Sequence, residues 1–211
     1  MSFAGQVGRL GTVVIATILA CTIAGCAGDE EIGSYPATNS NDCLQSGSLM
    51  DQNGNRIELQ SLKGEPVIFD FIYTSCTQEC PQLTEKMHEV AARLGMELGS
   101  KTHIVSLSLD PEYDHPAQLR EYARMQDANR DGWLFLTGAP PDVDRELAAF
   151  GLRRERMSDG SIDHMSSVYL LGQDGREVRQ YNGLEVSAAT VVRDLNREIA
   201  EEARVAKADR N

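Results

Sequence analysis

The stretch Val67-Ile-Phe-Asp-Phe-Ile-Tyr-Thr-Ser-Cys-Thr-Gln-Glu-Cys-Pro81 sets the strictest limit on what this chain can become. A run rich in Ile and Phe ends in two small polar residues, then two cysteines four positions apart and a proline. The run reads as a buried strand, and the residues after it as the start of a helix. Pro81 suits the first helical turn, where its missing N–H would lack a partner anyway. A helix N-terminus carries partial positive charge, which favours thiolate over thiol at Cys80 and at Cys76.

On a helical turn, residues i and i+4 lie on the same side, so both sulfurs can point one way. The pair can bind one soft metal ion, close a strained and reducible disulfide, or do both in turn. The spacer is longer than that of a Cys-X-X-Cys redox motif. A purely structural disulfide would close only a small loop and stabilise little. Thr74, Ser75, Thr77, Gln78 and Glu79 make the surroundings polar, which argues against a pair of inert core thiols.

The remaining cysteines have other settings. Arg9 is the only charge before Asp29, and Leu10–Ile23 is a short apolar stretch broken by Gly and Thr. This is the pattern of an export signal, too short and polar for a spanning helix. Its end, Ile23-Ala24-Gly25-Cys26, resembles the lipobox of bacterial lipoproteins, and the resemblance implies cleavage before Cys26 and acylation of that thiol. Cys21 lies inside the signal, in a poorer copy of the same motif. Whether cleaved before Cys26 or kept as an uncleaved anchor, the chain is expected outside the cytoplasm, tethered to a membrane (the periplasmic side in a Gram-negative bacterium), where oxidation of thiols is permitted. Residues 26–47 are rich in Gly, Ser, Asn, Asp and Pro and read as a flexible tether, with Cys43 a free thiol, an intermolecular bridge or an incidental linker cysteine. Loss of residues 1–25 removes one Arg and no acid, so the net charge goes from −12 to −13. Such a surface repels phosphate backbones and excludes nucleic acid as a partner.

From Ser48 the chain alternates. Asp51–Gly54 is a turn signal and Ile57–Leu59 a short strand, followed by the strand Val67–Tyr73. Leu83, Met87, Val90, Ala91 and Leu94 recur at helical spacing up to Gly95 or Gly99. Thr102–Leu109, Trp133–Leu136, Val168–Leu171 and Glu177–Tyr181 read as strands, the last two as a hairpin through Gln173-Asp-Gly175. Pro116–Met125, Asp142–Phe150 and the segment capped by Ser187 read as helices, the last with Val191, Leu195 and Ile199 inward. Arg153–Asp163 is a charged loop, and residues 204–211 form a fraying tail. The order predicts an α/β protein with a central mixed sheet flanked by helices and an N-terminal strand extension.

His164 lies where the polar loop enters a strand, in Ser161-Ile-Asp-His-Met-Ser166. Loops at strand ends, held by a rigid scaffold, are where ligands tend to sit. His88, His103 and His115 have no such setting. Asp163 can orient the His164 ring through its second nitrogen or cap the loop. Met165 offers a thioether or packs.

Three separated motifs carry a family resemblance. Tyr73-Thr-Ser-Cys76-Thr-Gln-Glu-Cys80-Pro81, Asp110-Pro-Glu-Tyr-Asp114-His-Pro116 with Leu119 and Tyr122, and Asp163-His164 before Tyr169-Leu-Leu171 together resemble the Sco/SenC family over residues 48–203. The resemblance implies a thioredoxin-like fold and a copper chaperone of cytochrome c oxidase assembly. Carried over to this chain, it makes Cys76, Cys80 and His164 the ligands of one copper ion. Two thiolates and an imidazole suit Cu(I) and tolerate Cu(II). A structural zinc would ask for a fourth protein ligand. Thr77 stands where the family commonly has Pro, and His115 where it has Thr; neither removes a ligand.

The expectation is thus a metallochaperone delivering copper to the copper-site subunit of a membrane oxidase. The alternative is a thiol–disulfide reductase in which Cys76 and Cys80 are the redox-active pair that reduces partner cysteines. Peroxide reduction has thin support, because neither Arg93 nor Arg120 is placed near Cys76 by sequence.

Overall fold

The computed structural model describes residues 34–36, 42–45, 47–163 and 166–208. The export signal, Cys26, His164 and Met165 lie outside the described residues. In chain order the elements are β1 (Ser34–Pro36), β2 (Leu49–Asp51), β3 (Arg56–Ile57), β4 (Val67–Ile72), α1 (Glu79–Leu94), β5 (His103–Ser108) and α2 (Pro116–Met125). Then come β6 (Trp133–Gly138), α3 (Pro140–Ala149), β7 (Glu155–Arg156), β8 (Ile162–Asp163), β9 (Ser167–Leu171), β10 (Glu177–Asn182) and α4 (Ala188–Ala208).

One mixed sheet organises them, in the order β1-β10-β9-β4-β5-β6-β2-β3. β4, β5 and β6 run parallel, and β9 returns antiparallel against β4. β1 and β10 extend one edge, β2 and β3 the other, all antiparallel. This is the mixed α/β sheet with a strand extension that the element order predicts, in the thioredoxin-like arrangement that the family resemblance implies. Parallel strands must be covered on both faces, and β4 is buried along its whole length. On one face Phe69 and Phe71 meet Phe150 and Tyr169, with ring centroids of Phe69 and Phe150 4.7 Å apart and of Phe150 and Tyr169 4.9 Å apart. On the other face α1 packs beside α4.

Helix ends follow the local chemistry. Pro81 lies in the first turn of α1, and Gly95, with φ +55°, closes it. Pro116 opens α2. The Ser187 hydroxyl accepts the Thr190 N–H at 3.1 Å ahead of α4.

The structure differs from the sequence reading in four places. Leu59 lies in a short 3-10 turn, Leu59–Leu62, not in a strand. The loop Arg153–Asp163 contains a small hairpin, β7 paired with β8. α4 continues to Ala208, where an Arg204–Glu201 pair at 3.1 Å bridges successive turns of good helix formers. The folded body also reaches back before Ser48. Cys43 and Leu44 are fully buried, and the Cys43 N–H donates to the Gly175 carbonyl at 2.8 Å. The reason is hydrophobic: Cys43-Leu44 is an apolar pair in an otherwise polar segment, and it fills the core beside the β9–β10 turn. Cys43 is therefore no linker thiol. Burial, then the Glu177 and Asp42 carboxylates, push it up to about 12, so it stays protonated.

Among the described residues no helix is long and apolar enough to cross a membrane.

Candidate metal centre

The cysteine pair sits where β4 turns into α1. After Ile72 the chain leaves the sheet, the Cys76 N–H closes a turn on the Tyr73 carbonyl at 3.1 Å, and Cys80 falls in the first turn of the helix. The two residues then have different surroundings. Cys76 is half-buried, while Cys80 is 1% exposed. The Cys80 N–H donates to the Cys76 sulfur at 3.3 Å, so Cys76 takes up one of the orphan donors of the helix start.

Electrostatics separates them further. Burial raises the Cys76 thiol. The Cys80 thiol, the backbone N–H groups of Cys80 and Gln78 and the Tyr73 hydroxyl outweigh it and bring the group below its ordinary value. Burial drives Cys80 far upward, reinforced by Cys76 and by the carboxyl of Asp70. Cys76 is the more acidic thiol of the pair, and Cys80 holds its proton more tightly. The two sulfurs are not joined in a disulfide. Cys76 should therefore be alkylated about tenfold or more faster than Cys80 and Cys43 by iodoacetamide near neutral pH, read cysteine by cysteine after digestion. Cys80 reacting first would refute this assignment.

Sequence reasoning did not give a role to the residues that hold this loop. Asp114, 0% exposed, sits behind it. Its carboxyl accepts the Thr74 N–H at 3.0 Å, the Thr74 hydroxyl, and the Ser108 hydroxyl at 2.6 Å. Ser108 in turn accepts the Asp110 N–H at 3.0 Å. The ends of β4 and β5 are thus pinned to one carboxyl. Arg156 from β7 donates to Asp110, and Arg154 makes a two-pronged contact with Glu112 at 2.6 and 2.8 Å and reaches Asp144 at 2.7 Å. These ion pairs hold the β7–β8 hairpin against the turn after β5. The signal that could have found Asp114 is its place in the short acidic turn Asp110–Asp114 after a buried strand.

Asp70 was also readable as an anomaly, a carboxyl within an apolar strand. It shares a face with Ile68 and Ile72 and is 1% exposed, and neither oxygen has a hydrogen bond of ordinary geometry. Its register neighbour Ser106 already accepts the Trp133 indole N–H at 3.0 Å and offsets burial only in part. Burial pushes Asp70 up to about 7.

A cleft of about 580 Å³ opens beside Cys76, lined among others by Tyr73, Thr77, Glu79, Met157 and Ile162. Both described flanks of residues 164–165 lie at this site. Ile162 lines the cleft, and the Ser166 hydroxyl donates to Glu79 at 2.6 Å, one residue before Cys80. The Gly183 N–H donates to the Ser166 carbonyl at 2.7 Å. A side chain at Gly183 would come within 2.9 Å of that carbonyl, so only glycine allows the approach. The backbone of Asp163 pairs with Glu155 across the hairpin. Other expected bystanders are occupied elsewhere: His88 contacts Arg130 at 2.7 Å, His103 lies 3.2 Å from Glu65, and Arg120 donates to the Gln52 carbonyl.

Residues 36–200 match the family model described as SCO1/SenC. The chain belongs to the SCO1/SenC family. Among similar proteins, the SCO1 protein homolog of Bacillus subtilis is 36% identical over 141 residues, 65% of this chain and 72% of the homolog. This SCO1/SenC chain also superposes on solved structures. ScoI of Bradyrhizobium japonicum, solved with copper bound, gives a TM-score of 0.63 at 28% identity, covering 80% of this chain and 99% of ScoI. BsSco, described as a member of the Sco family of cytochrome c oxidase assembly proteins with a disulfide switch, gives 0.67 at 32% identity, covering 79% and 96%.

Proposed function

We propose that this chain is a membrane-tethered, extracytoplasmic copper-binding protein that delivers copper to the copper site of a respiratory oxidase. The observation that carries the reading is the unequal cysteine pair at the head of α1: Cys76, the more acidic thiol, open to a cleft, and Cys80 buried behind it. Soft sulfur donors, one in the turn before α1 and one in its first turn, suit Cu(I). Copper displaces whatever thiol protons the pair still carries, and they pass to solvent. His164 is the third ligand, supported by the flanks Ile162 and Ser166, which converge on the same loop, and Asp163 orients its ring. One copper is held per chain. Family membership, copper in ScoI and the assembly role given for BsSco point the same way. The tether is the acylated Cys26, which rests on the lipobox in the sequence.

Delivery proceeds by ligand exchange, thiolate for thiolate, with no free aqueous ion. A second reading has its own support. A low-pKa attacking thiol backed by a protonated resolving thiol is the arrangement for thiol–disulfide exchange. Cys76 and Cys80 would be oxidised to a disulfide as a partner's disulfide is reduced to two thiols, priming them for metal.

Anaerobic Cu(I) titration against a competing chelator tests the copper site. One equivalent should bind, with affinity lost by about a thousandfold or more in Cys76→Ser and Cys80→Ser and clearly weakened in His164→Ala. Undiminished affinity in both cysteine variants would reject the site.

A further inference from the structure

The β7–β8 turn brings a second sulfur to the cleft. Met157 follows β7, and its backbone closes the turn through its own N–H on the Ser161 carbonyl at 2.8 Å and the Gly160 N–H on its carbonyl at 3.0 Å. Its side chain is 47% exposed, yet it lines the same cleft as Cys76. A half-exposed thioether on a tight surface turn contributes little to the core, so packing does not account for it. The hairpin is held by Arg154 and Arg156 to the turn after β5, so Met157 is presented from a fixed support.

We propose that Met157 is a transient ligand for Cu(I) on its way into and out of the cysteine site. This rests on the copper reading above and adds to it the route. A thioether is a soft, neutral donor that binds Cu(I) without losing a proton. It is available in the same form whether Cys76 and Cys80 are thiols, thiolates or a disulfide. Its neutrality makes it a weaker ligand than a thiolate, which suits transit over storage. Asp159 stands at the same cleft, held ionised by the Ser161 hydroxyl and N–H, and Glu79 adds a second carboxylate, so the entrance attracts a cation. Cu(I) arriving on a donor is met by the Met157 and Cys76 sulfurs, then sinks to Cys80 as Met157 lets go. At each step one bond to copper forms as another breaks, copper stays Cu(I), and any thiol proton that copper displaces is taken by buffer. Release to an acceptor reverses the order.

The test is anaerobic stopped-flow transfer of Cu(I) from its bathocinchoninate complex to the purified chain, comparing wild type with Met157→Leu, which keeps the bulk and removes only the sulfur. Uptake should slow about tenfold while the final affinity stays within about threefold, because a ligand used only in transit lowers the barrier without deepening the well. In the methyl-labelled protein the Met157 signal, assigned through the same variant, should shift or broaden at substoichiometric Cu(I) while those of exposed Met96 and Met125 hold still. Equal uptake rates together with an unmoved Met157 signal would overturn the proposal and leave the copper site standing. Failure of the site itself would show separately, as undiminished Cu(I) affinity in both Cys76→Ser and Cys80→Ser, and would remove the thioether role with it.

Discussion

Replacing Asp114 by Ala is expected to cost about 3–5 kcal/mol of folding stability, because one buried and two partly buried donors lose one acceptor at once and each unsatisfied donor costs about 1–3 kcal/mol. The donors are the Thr74 N–H, the Thr74 hydroxyl and the Ser108 hydroxyl. Water has little access to replace the carboxyl, since Asp114 is wholly buried. Asp114→Asn should recover part of the loss, as the amide keeps one acceptor oxygen. The effect should reach function because Thr74 lies two residues before Cys76. With its backbone unpinned, the turn that aims the Cys80 N–H at the Cys76 sulfur loosens, and the Cys76 thiol rises toward its ordinary value. Urea unfolding with an unchanged m-value measures the first effect, and the alkylation rate of Cys76 measures the second. A loss under about 1 kcal/mol with an unaltered alkylation rate would show that the carboxyl is not the latch.

Stability should fall as pH rises from about 4 to about 7, against the usual trend of acid-labile proteins. Asp70 and Glu146 set this sign. Burial pushes each up to about 7; Ser106 draws Asp70 partly back, and the Gln45 backbone and Arg145 do the same for Glu146. In the unfolded chain both ionise near pH 4, so across the window between the two values the native state holds more protons. By linkage each group weakens the fold as pH rises through that window, then contributes a constant penalty above it, at most about 4 kcal/mol for a shift of about 3 pH units. Glu112, which the Arg154 guanidinium holds below the usual carboxylate range, works in the opposite direction, but it is largely exposed and contributes little. The double variant Asp70→Asn, Glu146→Gln should flatten the dependence and be more stable than wild type at about pH 8. Denaturation midpoints that rise from pH 4 to 7 in wild type, or a variant with the same slope, would contradict this.

Much of the architecture was legible because its signals are local. The apolar run Val67–Ile72, the helical spacing from Leu83 to Leu94, Pro116 at a helix start and the Gln173–Gly175 turn each declare an element through their own neighbours. The errors fell where long-range burial decides. Cys43 reads as linker because its neighbours are polar, yet it is buried beside a turn more than a hundred residues away in sequence. Leu59 alternates like a strand residue but finds no neighbouring strand there, so a 3-10 turn forms. Arg154 and Arg156 look like loop charges until the fold brings Asp110, Glu112 and Asp144 opposite them.

The amino-acid order alone determined that two thiols meet at a strand-to-helix turn, since strand length, polar break and Pro81 fix that turn without help from the rest of the chain. It favoured a thiolate at both cysteines, Cys80 included, which burial of Cys80 overturns. Only the tertiary structure decided between them, by closing the core over Cys80, leaving Cys76 on a cleft at the helix N-terminus, and setting Asp114 and the β7–β8 hairpin around it. Burial and the field of distant groups are properties of chain segments brought together, and a thiol's ionisation answers to those surroundings more than to its neighbours in sequence.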